Sequence, residues 1–190
     1  MKKIFIIIAL IAASAFSAKA QIRLELCVGI GNYKFDYDTE LDGKVTPGFK
    51  AMYQFGEFGE GGFDAGVQFG MHKLANKDLN SKMTISNLDI PFHVYYNLNF
   101  GNLMITPFVG FFAGFAVGGK TTVGSLENSP FDGPAGMQKF DFGMDSEIVI
   151  TLNGHLTFGI GAQNGFLNVC KDKDVNVKSN AVYAAVGWRF

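Results

Sequence analysis

Hydrophobic side chains occupy every second position over much of the chain after residue 20, and this spacing predicts β-strands with one apolar face. The carboxyl-terminal stretch, residues 181–190, shows the pattern most clearly. Its apolar face ends in aromatic residues, while its other face is small and polar and carries Arg189. The apolar residues are Val182, Ala184, Val186, Trp188 and Phe190. Such a strand is typical of a wall between lipid and a narrow interior.

The alternation and its breaks predict eight strands whose connections are long and short in turn. The predicted strands cover residues 22–33, 45–55, 63–72, 84–98, 103–118, 138–150, 156–163 and 181–190. The connections at 32–44, 73–83, 119–137 and 164–180 are long and polar, whereas those at 56–62, 99–102 and 151–155 are short and rich in turn residues. This order predicts an up-and-down meander with long extracellular loops and tight periplasmic turns.

Charge separates the two faces of these strands. None of the residues assigned to the outward face is charged, whereas the inward face holds Arg23, Glu25, Lys50, Asp64, Asp89, His93, Asp141, Asp145, Glu147 and Arg189. A basic side chain facing lipid near the midplane costs about 2–4 kcal/mol, so a slip of two or three strands would approach the whole stability of a domain. The sequence therefore predicts an all-β fold, an eight-stranded antiparallel up-and-down transmembrane β-barrel.

Residues 102–119 leave a helical alternative open, because they carry no charge on either face. Four glycines and Pro107 make a poor helix, and we expect a strand with a crowded inner side. Pro47, Pro91 and Pro107 each remove a hydrogen-bond donor from the sheet, so we expect a bulge at each of them.

The amino terminus has the form of a secretion signal. Lys2 and Lys3 precede an apolar run over residues 4–13, and Ala18-Lys19-Ala20 has the small-x-small form of a cleavage site. The run is about half of the roughly 20 residues that a spanning helix needs, which disfavours a retained anchor. We predict a cleavable signal peptide over residues 1–20, a barrel domain over residues 21–190 and the outer membrane of a Gram-negative bacterium.

Composition supports this compartment and excludes nucleic-acid binding. Three of the 16 basic residues lie in residues 1–20, so 13 basic residues face 17 acidic ones in the remainder, without a basic stripe. The mean hydropathy is +0.17, which is apolar for a soluble domain. Eighteen of the 20 Phe lie after residue 20, and they suit a lipid-facing band with aromatic girdles better than a core of this size.

The interior offers one cluster of candidate residues. Eight strands enclose a space that side chains nearly fill, so an open pore is not expected. Pairing of the first and last strands brings Arg23 and Glu25 near Arg189, and Asp145 and Glu147 also point inward. We predict a lumen charge network of these five residues. It would act as a plug of mutually neutralising charges, or alternatively as a polar gate or proton-linked site.

Catalytic and ligand chemistry is sparse, and we expect no enzymatic activity and no catalytic, cofactor or metal site. His72 with Asp78 at the outer rim is the single catalytic candidate, since Asp89 and His93 lie about 13 Å apart along one strand. Residues 172–176 begin like a calcium loop but lack its later Gly and Glu. We favour two unpaired thiols, Cys27 and Cys170, over a disulfide.

Several stretches resemble a family of small outer-membrane β-barrels. They are Leu88-Asp89-Ile90-Pro91, the strand from Asn102 with Pro107, Phe108 and Gly110, Phe140-Asp141-Phe142-Gly143, Gly165-Phe166-Leu167-Asn168-Val169 and Gly187-Trp188-Arg189-Phe190. In this order they are similar to the outer membrane protein beta-barrel domain that includes PorT-like proteins. The resemblance implies the fold and the membrane but no shared activity. The final Phe190 resembles the signal by which barrel-assembly machinery recognises its clients.

Together these features predict a non-enzymatic, monomeric barrel embedded in outer-membrane lipid. We expect it to act as a structural or interaction protein through loops 119–137 and 164–180, on an unknown surface or membrane protein partner. The alternatives are a narrow conduit or binding barrel for a small solute or lipophilic ligand, and an outer-leaflet enzyme that depends on His72.

Overall fold

The computed structural model describes residues 21–35, 42–76, 80–134 and 136–190, so the predicted signal peptide lies outside the described residues. Eight long strands span the fold: β1 (Gln21–Phe35), β2 (Asp42–Phe58), β3 (Gly61–Asn76), β4 (Ser81–Tyr96), β6 (Leu103–Val123), β8 (Phe140–Leu152), β9 (Leu156–Gly165) and β10 (Val177–Arg189). Two short strands, β5 (Leu98–Phe100) and β7 (Leu126–Asn128), pair with β6. No helix among these residues has the length and apolar character needed to cross a membrane.

The long strands form a closed antiparallel ring. Each pairs with its neighbours in the chain, and β1 and β10 close the ring from Arg23↔Arg189 to Phe35↔Val177. Residues 103–123 are one continuous strand, which removes the helical alternative. The prediction of an eight-stranded up-and-down barrel is confirmed. Closure pairs the backbone groups of every wall strand, as hydrocarbon requires.

The strands extend further on the long-loop side than the sequence pattern predicts. β3 continues past His72 to Asn76, β6 continues to Val123, and β10 begins at Val177. The apolar alternation ends earlier because lysine and threonine follow it, yet the backbone ladder needs no apolar side chain to continue. On the opposite rim the connections are tight, with Gly59 and Gly101 at positive φ in two of the turns.

The two faces of the wall differ as predicted. Along β4 the exposed residues Leu88, Ile90, Phe92, Val94 and Tyr96 alternate with buried Asp89, Pro91, His93 and Tyr95. Aromatic rings gather on the outer face toward the turns, where Phe63 and Phe92 stack at 5.8 Å between ring centroids. The outer face therefore carries an apolar band with an aromatic girdle, and the charged residues at the level of this band, such as Glu25, Lys50 and Glu147, face the interior.

The expectation of a bulge at each proline is correct at one site. A register shift between Lys44 and Phe49 in the β2–β3 pairing contains Pro47. At Pro91 the β3–β4 register is the same on both sides, and at Pro107 the β6–β8 register is continuous. At these two prolines the expectation is wrong: the β3–β4 ladder omits pairs beside Pro91 without gaining a residue, and the β6–β8 ladder pairs Pro107 with Ile148. Further shifts lie at Phe55/Phe58 and Ser86/Asn87.

A charge placed in the middle of the outer band tests the facing of the wall. Leu26 is 68% exposed midway along the outward row of β1. We expect Leu26→Arg to lower the free energy of unfolding by about 2–4 kcal/mol, because the guanidinium would face hydrocarbon. Urea unfolding of the barrel in lipid vesicles measures this change. Asn180→Arg, which is outward but beyond the apolar band, should cost about 0–1 kcal/mol; equal losses from both variants would contradict the assigned faces.

Candidate functional site

The interior is built in three layers, which follow one another from the turn rim to the loop rim. The first is a layer of buried charges, the second contains small polar cavities, and the third is an apolar cap made by the long loops. Each layer is assembled from residues that lie far apart in the chain. The layers therefore exist only in the closed barrel.

Glu147 is the centre of the charge layer. Its Oε2 atom accepts hydrogen bonds from Arg23 Nη2 and Lys50 Nζ, both at 2.8 Å. The Arg23 guanidinium also lies 3.4 Å from Glu25 Oε1 and 3.7 Å from Asp64 Oδ2. All five side chains are almost fully buried. Opposite charges are thus held together where water cannot screen them.

A second set of contacts is centred on His93. Its Nδ1 atom lies 2.7 Å from Asp64 Oδ1, and its Nε2 atom lies 3.3 Å from Asp145 Oδ2. The Tyr183 hydroxyl donates to Asp145 Oδ1 at 3.2 Å and accepts from Lys50 Nζ at 3.1 Å. His93 and Tyr183 therefore join the Asp145 side of the layer to the Glu147 side.

Every wall strand contributes to this layer. Thr157 of β9 donates to Glu25 Oε1 at 3.2 Å, and Phe108 of β6 places its ring centroid 4.5 Å from the guanidinium carbon of Arg23. The remaining members come from β1, β2, β3, β4, β8 and β10. The layer therefore connects the wall across the lumen as well as blocking it.

The structure brings four of the five predicted network residues together. Arg23, Glu25, Asp145 and Glu147 lie in the charge layer, whereas Arg189 lies nearer the turn rim. Its guanidinium donates to Gln54 Oε1 at 3.0 Å and to Met104 Sδ at 3.3 Å. Arg189 is opposite Arg23 in the β1–β10 register, but its side chain turns away from the acidic residues.

Three further members, Lys50, Asp64 and His93, were predicted as inward residues but not as members of the network. The strand register explains why these residues join the network, since Lys50 is directly opposite Glu25 and Asp64 is directly opposite His93. Opposed residues of an antiparallel pair share a face and are close. The carboxylates beside His93 thus come from Asp64 on β3, which pairs with β4, and from Asp145 on β8, which does not, and neither is Asp89 of its own strand.

Two small polar cavities, of about 30 and 40 Å³, lie above the charge layer. Both are lined by His72, Asn87, Asp89 and Gln163. Among the described atoms, Gln68 Oε1 and His72 Nδ1 are buried without a hydrogen-bond partner. Polar cavities of this size hold water.

His72 is not at the outer loop edge, where the sequence analysis placed it. It lies within β3 and faces the interior, with its ring centroid 5.2 Å from that of Tyr33 and its ring over Gly31. The predicted partner Asp78 is outside the described residues. The expected outer-rim position of His72 is wrong, because the strand continues past the residue at which its apolar alternation stops.

The long loops close the far end of the barrel. Phe131 and Met137 come from one loop and Val169 and Cys170 from another, and they pack in one buried cluster. The cluster rests on wall residues Tyr33, Leu74, Ile85 and Val177. Backbone bonds from Gln138 N to Val169 O at 2.7 Å and from Lys171 N to Gly136 O at 2.9 Å join the two loops. We call this cluster and its two loops the cap.

The two cysteines occupy different layers. Cys27 lies on the inward face of β1, and Cys170 lies in the cap; both are buried and no disulfide joins them. In the described ranges no group of three or more His, Cys, Asp or Glu residues is arranged to hold a metal ion.

The outer wall has a shallow apolar hollow with a volume of about 690 Å³. Its lining consists chiefly of outward-facing residues, among them Val28, Ile30, Ile160, Val182 and Ala184. Ala162 and Ala184 are small, which makes the outer surface shallowly hollow there. The area is continuous with the apolar band, and its lining also includes Phe108, Glu147 and Tyr183 of the charge layer.

A closed barrel with an apolar outer band and charges inside is the architecture of an outer-membrane β-barrel protein. The chain belongs to the outer membrane protein beta-barrel domain family, whose model matches residues 4–190. It is a membrane protein of the Gram-negative outer membrane, and its apolar band contacts lipid. The narrower likeness to PorT-like proteins stays a prediction.

Several solved structures share the fold. Neisserial surface protein A has a TM-score of 0.57 at 8% identity, covering 91% of this chain and 100% of that one. Ail of Yersinia pestis has a TM-score of 0.52 at 12% identity, with coverage of 91% and 100%. OprG of Pseudomonas aeruginosa has a TM-score of 0.52 at 14% identity, with coverage of 91% and 96%. These identities show the fold alone. No curated protein matches the chain.

Removal of Glu147 tests the charge layer. We expect Glu147→Ala to lower the free energy of unfolding by about 3–5 kcal/mol, because Arg23 and Lys50 both lose their nearest carboxylate while buried. Glu25→Ala should cost less, since Arg23 keeps Glu147 at 2.8 Å. Urea midpoints of the folded barrel in detergent measure both changes.

Glu127→Ala is the matched control, because it removes an exposed ion pair with Lys120 whose side chains are 60% and 55% exposed. It should change stability by less than about 1 kcal/mol. A Glu147→Ala protein as stable as wild type would contradict the proposed role of the layer.

Proposed function

We propose that this protein is a non-enzymatic outer-membrane barrel that acts as a structural or interaction protein through its extracellular surface. The observation that carries the proposal is the cap. Two long loops bury Phe131, Met137 and Val169 against the wall and so form an ordered lid over the lumen. A mouth closed by a packed apolar cluster offers partners a defined surface instead of a passage.

The cap and the charge layer both block the lumen, and this argues against the alternative function as a narrow conduit for a solute. A solute that entered would have to displace the cap and then the paired charges around Glu147, which are desolvated and bonded across the lumen. The cavities between these levels have room for water but not for a substantial solute. A lipophilic ligand would instead meet the shallow outer hollow, which lies in the band that acyl chains already cover.

The interior position of His72 supports the absence of enzymatic activity. An enzyme acting on outer-leaflet lipid needs its acid and base at the rim, within reach of the bond that it cleaves. His72 is instead enclosed with Tyr33 and Gly31. The His93 imidazole is likewise enclosed, between Asp64 and Asp145.

A hairpin beside the cap exposes two apolar side chains on the loop side. β6 and β7 are joined through Gly124 and pair at Val123↔Leu126. Val123 is 50% exposed and Leu126 is 69% exposed. β7 pairs with β6 on one side, so in the described part of the chain its other edge is open to a further strand. An extended segment of a protein partner can add to such an edge, with its apolar side chains against Leu126.

The end of β10 and the closure of the ring bear on barrel assembly and on the oligomeric state. Trp188 and Phe190 lie outward at the end of β10, where they are 46% and 65% exposed, and this strand end is the proposed recognition element for barrel-assembly machinery. The ring has no unpaired wall strand, which supports a monomer.

Site-specific photocrosslinking on intact cells tests the interaction role. A photoreactive residue at Leu126 should capture a discrete protein, because the side chain projects from the hairpin beside the cap. The same probe at Ile160, which is 64% exposed in the lipid band, is the control and should capture lipid. Protein capture at Ile160 but not at Leu126 would place the partner against the wall and contradict the proposal.

Planar-bilayer recording tests closure of the lumen. The purified barrel should give no steady unitary currents, because the cap and the charge layer block the path in series. Steady currents from the wild-type protein would favour the conduit and overturn the proposed function. Heat-dependent gel mobility of the same sample shows that the inserted protein is folded.

A further inference from the structure

Asp89 is a buried carboxylate of β4 that lies outside the charge layer. The almost fully buried carboxylates of that layer each have a basic side chain at 3.4 Å or less; they are Glu25, Asp64, Asp145 and Glu147. Asp89 is also enclosed, with 7% of its surface exposed, yet within the described ranges no salt bridge reaches it. A buried carboxylate without a counter-charge is costly, so either a proton or a cation from outside the chain has to neutralise it.

An amide oxygen without a partner lies beside this carboxylate. Gln68 is directly opposite Asp89 in the β3–β4 register, and opposed residues share a face with their Cβ atoms about 4.5–5.5 Å apart. Both residues line the cavity of about 40 Å³. Gln68 is 7% exposed, and among the described atoms its Oε1 has no hydrogen-bond partner. Two side chains with unused acceptor capacity therefore meet at one cavity.

The basic side chains around the cavities are engaged elsewhere or form no salt bridge. Lys50 is directly opposite Gln68 on the other side of β3, but its Nζ atom is bonded to Glu147 in the charge layer. Lys139 lines the smaller cavity, yet it is exposed and its ammonium lies over an aromatic ring of the cap. His72 lines both cavities, and its Nδ1 atom is buried without a partner. The described chain thus supplies no counter-charge to the Asp89 carboxylate.

The adjoining acidic residues increase the attraction for a cation. Asp141 lines the smaller cavity and accepts hydrogen bonds from the Ser179 hydroxyl and from a backbone N–H. The neutral Gln163 amide hydrogen-bonds to both Asp145 and Asp89. These bonds occupy acceptor sites but leave the negative charges in place, and such charges act strongly in an interior of low dielectric constant. The surroundings of Asp89 therefore favour a cation over a neutral molecule.

The oxygen atoms and the volume define the class of ligand. Carboxylate and amide oxygens are ligands of hard cations such as sodium and calcium. A cavity of about 40 Å³ has room for one such ion and excludes a large organic cation. One carboxylate without an ion pair balances a single positive charge. In the described ranges no three His, Cys, Asp or Glu residues converge on a metal position, which disfavours a divalent ion held by several charged ligands.

We propose that the cavity beside Asp89 binds one small monovalent metal cation, for which sodium is the probe. The Asp89 carboxylate and Gln68 Oε1 supply the protein ligands, and water completes the coordination. Because these ligands come from two strands and are enclosed only in the closed ring, the ion binds the folded barrel and not the unfolded chain. The site goes beyond the proposed function, since it stabilises the barrel whether or not the extracellular surface has a partner.

Urea unfolding in matched salts tests the proposal. The barrel in detergent is unfolded in sodium chloride and, at the same ionic strength and pH, in N-methylglucamine chloride, whose cation is too large for the cavity. We expect sodium to raise the ratio of folded to unfolded protein at least about tenfold, as a ligand of the folded state alone does well above its dissociation constant. Equal ratios in the two salts would mean that a proton neutralises Asp89, and would overturn the proposal.

Substitutions assign the effect to this cavity. Asp89→Asn should abolish the difference between the two salts, because a neutral amide needs no counter-ion. Gln68→Met should reduce the difference to less than about threefold, because the ion loses one protein ligand. Asp132→Asn is the matched control, since Asp132 is exposed in a cap loop, and it should keep the full effect. A sodium effect that survives Asp89→Asn, or that is lost in Asp132→Asn, would overturn the assigned location.

A change in the charge of the ligand set tests the preference for a monovalent ion. Gln68→Glu adds a second carboxylate at the same position, so calcium should stabilise this variant more than sodium does at equal ionic strength. Stronger stabilisation of the wild type by calcium than by sodium would make the site divalent and contradict the proposal. Equilibrium dialysis with radiolabelled sodium gives a readout independent of unfolding: the folded wild type should retain about one ion more per barrel than the folded Asp89→Asn protein. Equal retention would count against the site.

Discussion

The requirement that no backbone hydrogen-bonding group face hydrocarbon unpaired governs this structure. Strands can meet it only in a closed ring, and the β1–β10 pairing from Arg23 to Phe35 completes that ring. Closure then assigns each side chain to one of two surroundings, lipid outside or a narrow lumen inside. The exposed row along β4 and the buried Asp89 and His93 between its members follow from this single condition.

The charge layer is the second consequence of closure. Arg23, Lys50 and Glu147 cannot reach bulk water, so each depends on partners that other strands supply. Buried ion pairs add little net stability relative to apolar packing, but a broken pair is costly. The layer therefore acts mainly on specificity: it disfavours registers in which one of these charges lacks its partner. The same contacts fill the lumen at this level, so one set of side chains both joins the wall strands and occupies the interior.

Residues on the loop side of the barrel fall into two groups, those that close the lumen and those that lie on the outer surface. Phe131, Met137 and Val169 are used inside the cap, whereas the β6–β7 hairpin and the lysines below it remain outside. The hairpin tip is apolar and, in the described part of the chain, has an open edge, whereas Lys34, Lys73 and Lys178 are exposed cations.

The sequence by itself determined the local facts: eight strands, the face of each residue and the order of long and short connections. These depend on side-chain alternation within one strand, which is visible in a short window. Tertiary structure alone decided that His93 lies between Asp64 and Asp145, that Arg189 turns to Gln54, and that two loops join in the cap. Such contacts link residues tens of positions apart, and they depend on register and on the curvature of the ring, which no single strand specifies.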